Sequence, residues 1–558
     1  MKPFLLLLFT SLLIACSPDK QYDLILRNGV IIDGSGVARL QGDLAVTGDK
    51  IMAVGDLGEA KGKKEIDVNG KVIAPGFINM LSWATQSLIQ DGRSEGDIRQ
   101  GVTLEVMGEG WSMGPLNEQM KAEQQAVQKD IAYDISWTTL GEYLEFLERK
   151  GVSTNVSSFV GATTLRIHEI GEEDRPPTEE ELARMRNLAR AAMEEGAMGI
   201  SSSLIYAPAF YAETDELIEL CKIVSEYGGI YISHLRSEGD YWLEAIDELL
   251  EIASEAQIAA EIYHLKAGGQ ANWPKWESAI QKIDSARKAG LHITTDMYTY
   301  TAGATGLNAS MPPWVQEGGY GEWSRRLQDP VIRERVAAEM RQKGDGWENL
   351  FFAAGTAENL LLVGFRNDSL RYLTGKTLAE VSQMRGLSPE ETAMDLVIQD
   401  SSRVGTVYFL MSEDNVRKQV ALPYMSFGSD AASMAPVAPF TNSSAHPRAY
   451  GNFARLLGKY VREEQLITLE EAIRKLTSLP ASNLKIRDRG LLKEGYFADV
   501  VVFDPETIID RATFDNPHQL AEGMIHVFVN GTQVLDNGTH TGATPGRFVR
   551  GPGWKGAL

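Results

Sequence analysis

Between Gly199 and Tyr300 the chain repeats one pattern, a short apolar run followed by an amphipathic helix and then the next apolar run. The order is GISSSLIY, helix ETDELIELCKIVSEYG, GIYISHL, helix YWLEAIDELLEIASEA, IAAEIYHL, helix NWPKWESAIQKIDSARKAG and LHITTDMYTY. Units of about 30 residues hold a strand, a helix and short turns, and strands joined by helical crossovers run parallel. The pattern predicts a parallel α/β sheet, of which a barrel is the closed version. TEEELARMRNLARAAMEEG adds a helix upstream, with a capping box at Thr178 and Glu181 and apolar residues at Leu182, Met185, Leu188 and Ala192. YMSFGSD adds a strand much later.

Outside this region the texture changes. From Tyr22 to about Ile73, short alternating runs are punctuated by Asn28-Gly29, Asp33-Gly34 and Asn69-Gly70, which read as hairpin signals. The same texture returns near the C-terminus as FADVVVFDP and MIHVFVNGTQVLDNG. Residues 22–73 and 490–545 are therefore expected to form one small β-sandwich built from both chain ends, with 74–489 as a separate domain. MPPWVQEGGYGEW and a long polar helical region break the βα rhythm at about 303–420, which predicts an insertion over one mouth of the barrel.

Lys plus Arg number 54 against 76 Asp plus Glu, a formal charge of −22 over 558 residues, which disfavours nucleic acid as a partner. The first residues read Met1-Lys2-Pro3, then FLLLLFTSLLIA, then Cys16-Ser17. A basic start and an apolar core too short for a comfortable membrane span indicate an export signal over 1–16. Leu13-Ile14-Ala15-Cys16 resembles a bacterial lipobox, so Cys16 is expected to be lipidated. The protein is then held in the cell envelope by a lipid anchor only, facing the periplasm if the cell is Gram-negative. With Cys16 set aside, Cys221 is the one cysteine left, so no intrachain disulfide is available.

Polar residues close the apolar runs. His234 ends IYISH, His264 ends AEIYH, Asp296 ends ITTD and Asp430 ends MSFGSD, while Glu109 follows the run VTLEVM. Thirty residues separate His234 from His264 and 32 separate His264 from Asp296, each about one βα unit, so these side chains should emerge on one rim. A single histidine at a strand end is more often hydrogen-bonded structure than a ligand, and a single aspartate there often caps a helix. Five such groups together, in a chain with only 8 histidines, instead suggest a site. Two histidines and one carboxylate with an open fourth position make the ligand set of a catalytic zinc. His168, His292, His518, His526 and His540 read as structural or surface groups.

The sequence resembles the amidohydrolase superfamily, and within it the N-acyl-D-amino-acid deacylase branch. The stretches that carry the resemblance are VIAPGFIN, QGVTLEVMGEGWSMGP, SSLIYAPAFYAETDELIEL, ISHLRSEGD, IYHLKAGG, TDMYTYTAGATGL, FGSD, HPRAYGNFARLLG and LTSLPASNLKIRDRGLLKEGYFADVVVFDP. They run in order through nearly all of the mature chain. The resemblance implies a (βα)8 TIM-type barrel with a flanking β-sandwich. It implies one divalent ion per chain, zinc first among candidates, held by Glu109, His234 and His264. On this resemblance Asp430 is expected to take a proton from a metal-activated water that attacks the amide of an N-acyl amino acid or peptide-like substrate, and Lys266, Tyr298 and Arg448 to meet the substrate carboxylate or acyl oxygen.

Departures from the family pattern accompany the matches. Relatives usually end the first barrel strand with His-x-His, and Leu81 and Trp83 stand there instead. A cysteine typical of the retained metal position is replaced by Glu109, and a Gly-His-Gly-like turn reads Gly161-Ala162-Thr163. Loss of the pair implies a one-metal design, with Leu81 and Trp83 packing the vacated space. Two other readings are hydrolysis of cyclic amides, lactones or dipeptides, and a non-catalytic barrel lipoprotein that acts as a binding module.

Overall fold

The computed structural model describes residues 21–556. The lipidation expected at Cys16 lies outside them. No helix among the described residues is long and apolar enough to cross a membrane, and Cys221 is buried as a free thiol.

Strands from both chain ends meet in one nine-stranded sheet. Val72–Pro75 joins the two sets: it pairs with the N-terminal strand Gln21–Ile31 on one side and with Val500–Phe503 on the other. Alternate residues of these strands, among them Leu24, Leu26, Ile73, Val500 and Val502, share one apolar core with Phe528. Such period-two burial holds a sheet in register. Asn69-Gly70 is a turn as expected, but Asn28-Gly29 is not. It lies inside Gln21–Ile31 as a bulge, with Asn28 in the left-handed region at φ 57°, and the strand continues beyond it.

Eight parallel strands form the barrel: β1 (Phe77–Ser82), β2 (Val102–Met107), β3 (Asn155–Ser158, continued by Val160–Gly161), β4 (Gly199–Ser203), β5 (Ile230–His234), β6 (Ala259–Ile262), β7 (Ile293–Met297) and β8 (Met425–Phe427). Each pairs with the next in parallel register. The ring closes between β8 and β1, where the Asp430 N–H donates to the Leu81 carbonyl at 2.8 Å and the Trp83 N–H to the Ala431 carbonyl at 2.9 Å. Closure leaves no open edge.

Helices alternate with the strands. The Thr178 capping box is present, with the Thr178 hydroxyl accepting from the Glu181 N–H and Glu181 Oε2 accepting from the Thr178 N–H at 2.7 Å. Helix Glu179–Glu195 buries Met185, Ala189, Ala192 and Met193, whereas Leu182 and Leu188 are only half-buried. Its buried stripe is thus turned from the expected one toward small residues, which allow close approach.

One helix pair carries a buried charge. Arg166, on helix Ala162–Ile170, meets Glu216 of helix Thr214–Glu226 at 2.5 Å, with side-chain exposures of 1% and 4%. Replacing Glu216 by leucine leaves the buried guanidinium without its counter-charge, with only the Glu173 and Arg175 carbonyls to accept from it, and is expected to cost about 3–5 kcal/mol. Guanidinium-chloride unfolding reads this cost, and Arg166→Met in the same chain should recover most of it. A midpoint unchanged by Glu216→Leu alone sinks the expectation.

Between β7 and β8 the chain builds a small antiparallel sheet from Gly303–Gly306, Leu360–Gly364 and Gly405–Tyr408. Residues of this segment, including Trp323, Glu348, Tyr408 and Leu410, line a cavity of about 870 Å³ whose floor is the rim of the barrel.

Candidate active site

Glu109, His234, His264, Asp296 and Asp430 stand at or just beyond the carboxyl ends of barrel strands. Beyond β2, Gly108 (φ 99°) and Gly110 (φ 66°) flank Glu109, and the left-handed backbone at both lets the carboxylate turn into the ring. A side chain at Gly110 has no room, since its Cβ would stand 2.4 Å from Ser203 Oγ. His234 is the last residue of β5. His264 stands two residues past β6 at φ 32°, a strained value for a non-glycine residue. Asp296 on β7 accounts for it, because its Oδ1 accepts the His264 backbone N–H at 2.9 Å. Asp430, another left-handed residue at φ 48°, follows β8.

Three donor atoms converge. Glu109 Oε1 lies 3.1 Å from His234 Nδ1 and 3.0 Å from His264 Nε2, and the two ring nitrogens are 3.0 Å apart. All three residues are buried. Ligands about 2.0–2.1 Å from a tetrahedral ion stand roughly 3.4 Å from one another, so this spacing suits one cation. The chemistry of the set agrees: two imidazole nitrogens aimed at one point cannot both be lone pairs without a proton or a cation between them. Burial favours a neutral Glu109, yet hydrogen bonds from His234 and His264 hold its carboxyl well below the usual range. Burial and Lys266 work to deprotonate His264, but Glu238 and Glu109 push it up to about 10. An ion entering the cluster therefore displaces a proton.

Around the three ligands lies a ring of orienting contacts. Glu238, four residues after His234, places Oε1 2.8 Å from His264 Nδ1 and 2.6 Å from Lys266 Nζ, and Oε2 3.6 Å from His234 Nε2. A carboxylate behind a ligating imidazole fixes its tautomer and raises its basicity. The Tyr206 ring packs against His234, with centroids 5.3 Å apart. Lys266 is thus already paired, which differs from a lysine free to meet substrate.

Trp83 does more than pack. Its indole Nε1–H donates to Glu109 Oε2 at 2.9 Å and is 3.2 Å from Asp430 Oδ1, bridging the two carboxylates. Leu81, fully buried among Ile78, Phe159 and Tyr263, behaves as expected.

Asp430 Oδ2 forms an ion pair with Arg448 Nη2 at 2.8 Å. Burial raises the Asp430 carboxyl, Arg448 opposes, and the net direction is upward. Arg448 is 3% exposed, and its Nε and Nη1 have no hydrogen-bond partner among the described residues. Its guanidinium lies 4.4 Å from the centre of the Tyr298 ring, and the Tyr298 hydroxyl has only Met411 Sδ nearby, at 3.5 Å. His446 Nδ1 accepts the Arg448 backbone N–H at 3.0 Å, and its Nε2 is 2.9 Å from the Ala302 carbonyl oxygen.

The structure thus brings Glu109, His234, His264, Asp430, Lys266, Tyr298 and Arg448 to one cavity, with Asp296 directly beneath. Sequence reasoning missed Glu238, His446, Glu348 and the indole bridge. Glu238 had a signal in its position on the loop that directly follows His234. His446 lies within the quoted stretch HPRAYGNFARLLG. Glu348 had none.

A closed parallel barrel gathers two imidazoles and a carboxylate around one point at the floor of a cavity, a set that could hold a metal ion. The chain belongs to the amidohydrolase family, whose model matches residues 64–535. It is 34% identical to a D-aminoacylase of Alcaligenes xylosoxydans xylosoxydans over 96% of this chain and 98% of that one. Among solved structures it is similar to an N-acyl-D-glutamate deacylase of Bordetella bronchiseptica, complexed with zinc and a phosphonate mimic of the tetrahedral intermediate (29% identity, TM-score 0.79, 95% of this chain and 100% of that one). It is also similar to a D-aminoacylase with a binuclear metal centre, described by one-metal activation and second-metal attenuation (30% identity, TM-score 0.79, the same coverage). The resemblance to the deacylase branch, and the barrel with its flanking sandwich, are borne out.

Proposed function

We propose that the protein is a one-metal hydrolase that cleaves the amide bond of N-acyl-D-amino acids. The observation that carries this reading is the convergence of Glu109 Oε1, His234 Nδ1 and His264 Nε2 beside the Asp430–Arg448 pair.

Glu109, His234 and His264 would hold the ion, which when bound lowers the pKa of water to about 7 and polarises a carbonyl. Asp430 accepts the proton of the attacking water and returns it to the leaving amine. Arg448, fixed by Asp430 and by the aromatic face of Tyr298, presents Nε and Nη1 to the substrate carboxylate. The Tyr298 hydroxyl, unclaimed by any oxygen or nitrogen, is free to donate to the acyl oxygen as charge develops there. Glu238 keeps the His264 imidazole oriented and holds Lys266 as a fixed positive charge beside it.

The count of one ion rests on Trp83. Its N–H occupies the face shared by Glu109 and Asp430 and satisfies both carboxylates with a neutral donor. Metal analysis of the purified protein is expected to return about one zinc per chain even with excess zinc, and Leu81→His with Trp83→His to raise it toward two. Amine release should follow from N-acetyl-D-amino acids and not from their L isomers. Two ions in the unaltered protein overturn the one-metal reading. Metal without any amine release overturns the substrate assignment.

A further inference from the structure

Near the cluster the charged side chains pair off: Glu109 with the two histidines, Asp430 with Arg448, Glu238 with Lys266. Glu348 does not. It arrives on the segment between β7 and β8, is 8% exposed and lines the same cavity. Its Oε2 accepts the backbone N–H groups of Glu238 and Gly239, the latter at 3.0 Å, which pins the carboxylate over the loop that follows β5. Its Oε1 is buried and has no hydrogen-bond partner among the described residues. Burial and the Glu238 charge push this carboxyl up to about 7, against the Ser237 hydrogen bond and the Glu238 N–H. Glu172 and Arg403, the other lining charges without an ion pair among the described residues, are half-exposed and exposed, so both reach solvent. A buried carboxylate with one unpartnered oxygen is costly unless a donor meets it.

Position gives the open oxygen its meaning. Arg448 stands beside Asp430 after β8 with two unpaired N–H donors, while Glu348 sits above β5, across the ring of eight strands. A molecule that fills the cavity with its carboxylate on Arg448 extends toward an acceptor of opposite charge. We infer that the substrate carries a protonated amine in addition to its carboxylate, and that Glu348 Oε1 binds this amine. The inference rests on the deacylase reading and narrows its substrate class. The amine belongs either to the acyl part, as in a dipeptide with a free N-terminus, or to the side chain of the amino acid.

The test compares kcat/KM for glycyl-D-leucine, Nα-acetyl-D-lysine and N-acetyl-D-leucine, in the zinc-loaded protein and in Glu348→Gln. Glutamine keeps a carbonyl oxygen for both backbone N–H groups, so the loop retains its anchor while the charge is lost. At least one amine-bearing substrate should exceed N-acetyl-D-leucine by tenfold or more, and the faster of the two identifies where the amine lies. Glu348→Gln should then lower kcat/KM for that substrate at least tenfold more than for N-acetyl-D-leucine, through KM. Equal turnover of all three, or an equal loss in the variant, overturns the inference and leaves the deacylase reading standing. Absence of amine release from all three overturns both.

Discussion

Glu109→Ala is expected to empty the ion site and to lower amide hydrolysis about a thousandfold or more. Glu109 is the only anionic ligand of the three, so its loss leaves two neutral imidazoles to hold a divalent cation in a buried setting. An ion's stabilisation of developing charge is worth several kcal/mol, and about 4 kcal/mol is roughly a thousandfold in rate. The measurements are metal content per chain and kcat/KM for amine release. His234→Ala should behave alike, because the three atoms act on one centre. Full metal content in both variants would place the ion elsewhere and remove the basis of the mechanism.

Asp430→Asn is expected to lower kcat by about 10²–10⁴, the range of general acid–base catalysis, with metal content unchanged. The amide keeps the shape of the carboxylate but accepts no proton from the attacking water. It also loses the anion that fixes Arg448, whose Nη2 lies 2.8 Å from Asp430 Oδ2. A rise in KM should therefore accompany the fall in kcat. Unchanged turnover would end the proton-transfer assignment. Loss of metal alongside activity would make Asp430 part of the ion site instead.

Much of the site was legible in the chain. His234, His264 and Asp296 close apolar runs at about one βα unit's spacing, and Asp430 closes a later apolar run; in a barrel, spacing of one unit puts successive strand ends on one rim. The Thr178 capping box was legible for a similar reason, since its four residues satisfy one another locally. Asn28-Gly29 misled because an asparagine in the left-handed region serves a bulge as well as a turn. Leu182 and Leu188 misled because hydrophobicity marks a preferred face without saying what packs against it.

The indole of Trp83 shows the harder case. Its apolar character suggested filling, but its one N–H finds Glu109 and Asp430, 26 and 347 residues away. Glu348 is harder still, since it reaches Glu238 from 110 residues off through a segment with no βα rhythm.

By itself the sequence determined a parallel α/β sheet, the rim on which its polar residues lie and the kinds of donor available there, because strand–helix periodicity is local and forces direction. Which atoms come within 3 Å of one another was decided only by the tertiary structure. That required the closure of β8 on β1 and the folding of the later segment over the cavity, and contacts at hydrogen-bond distance depend on how distant, rigidly packed elements meet rather than on spacing along the chain.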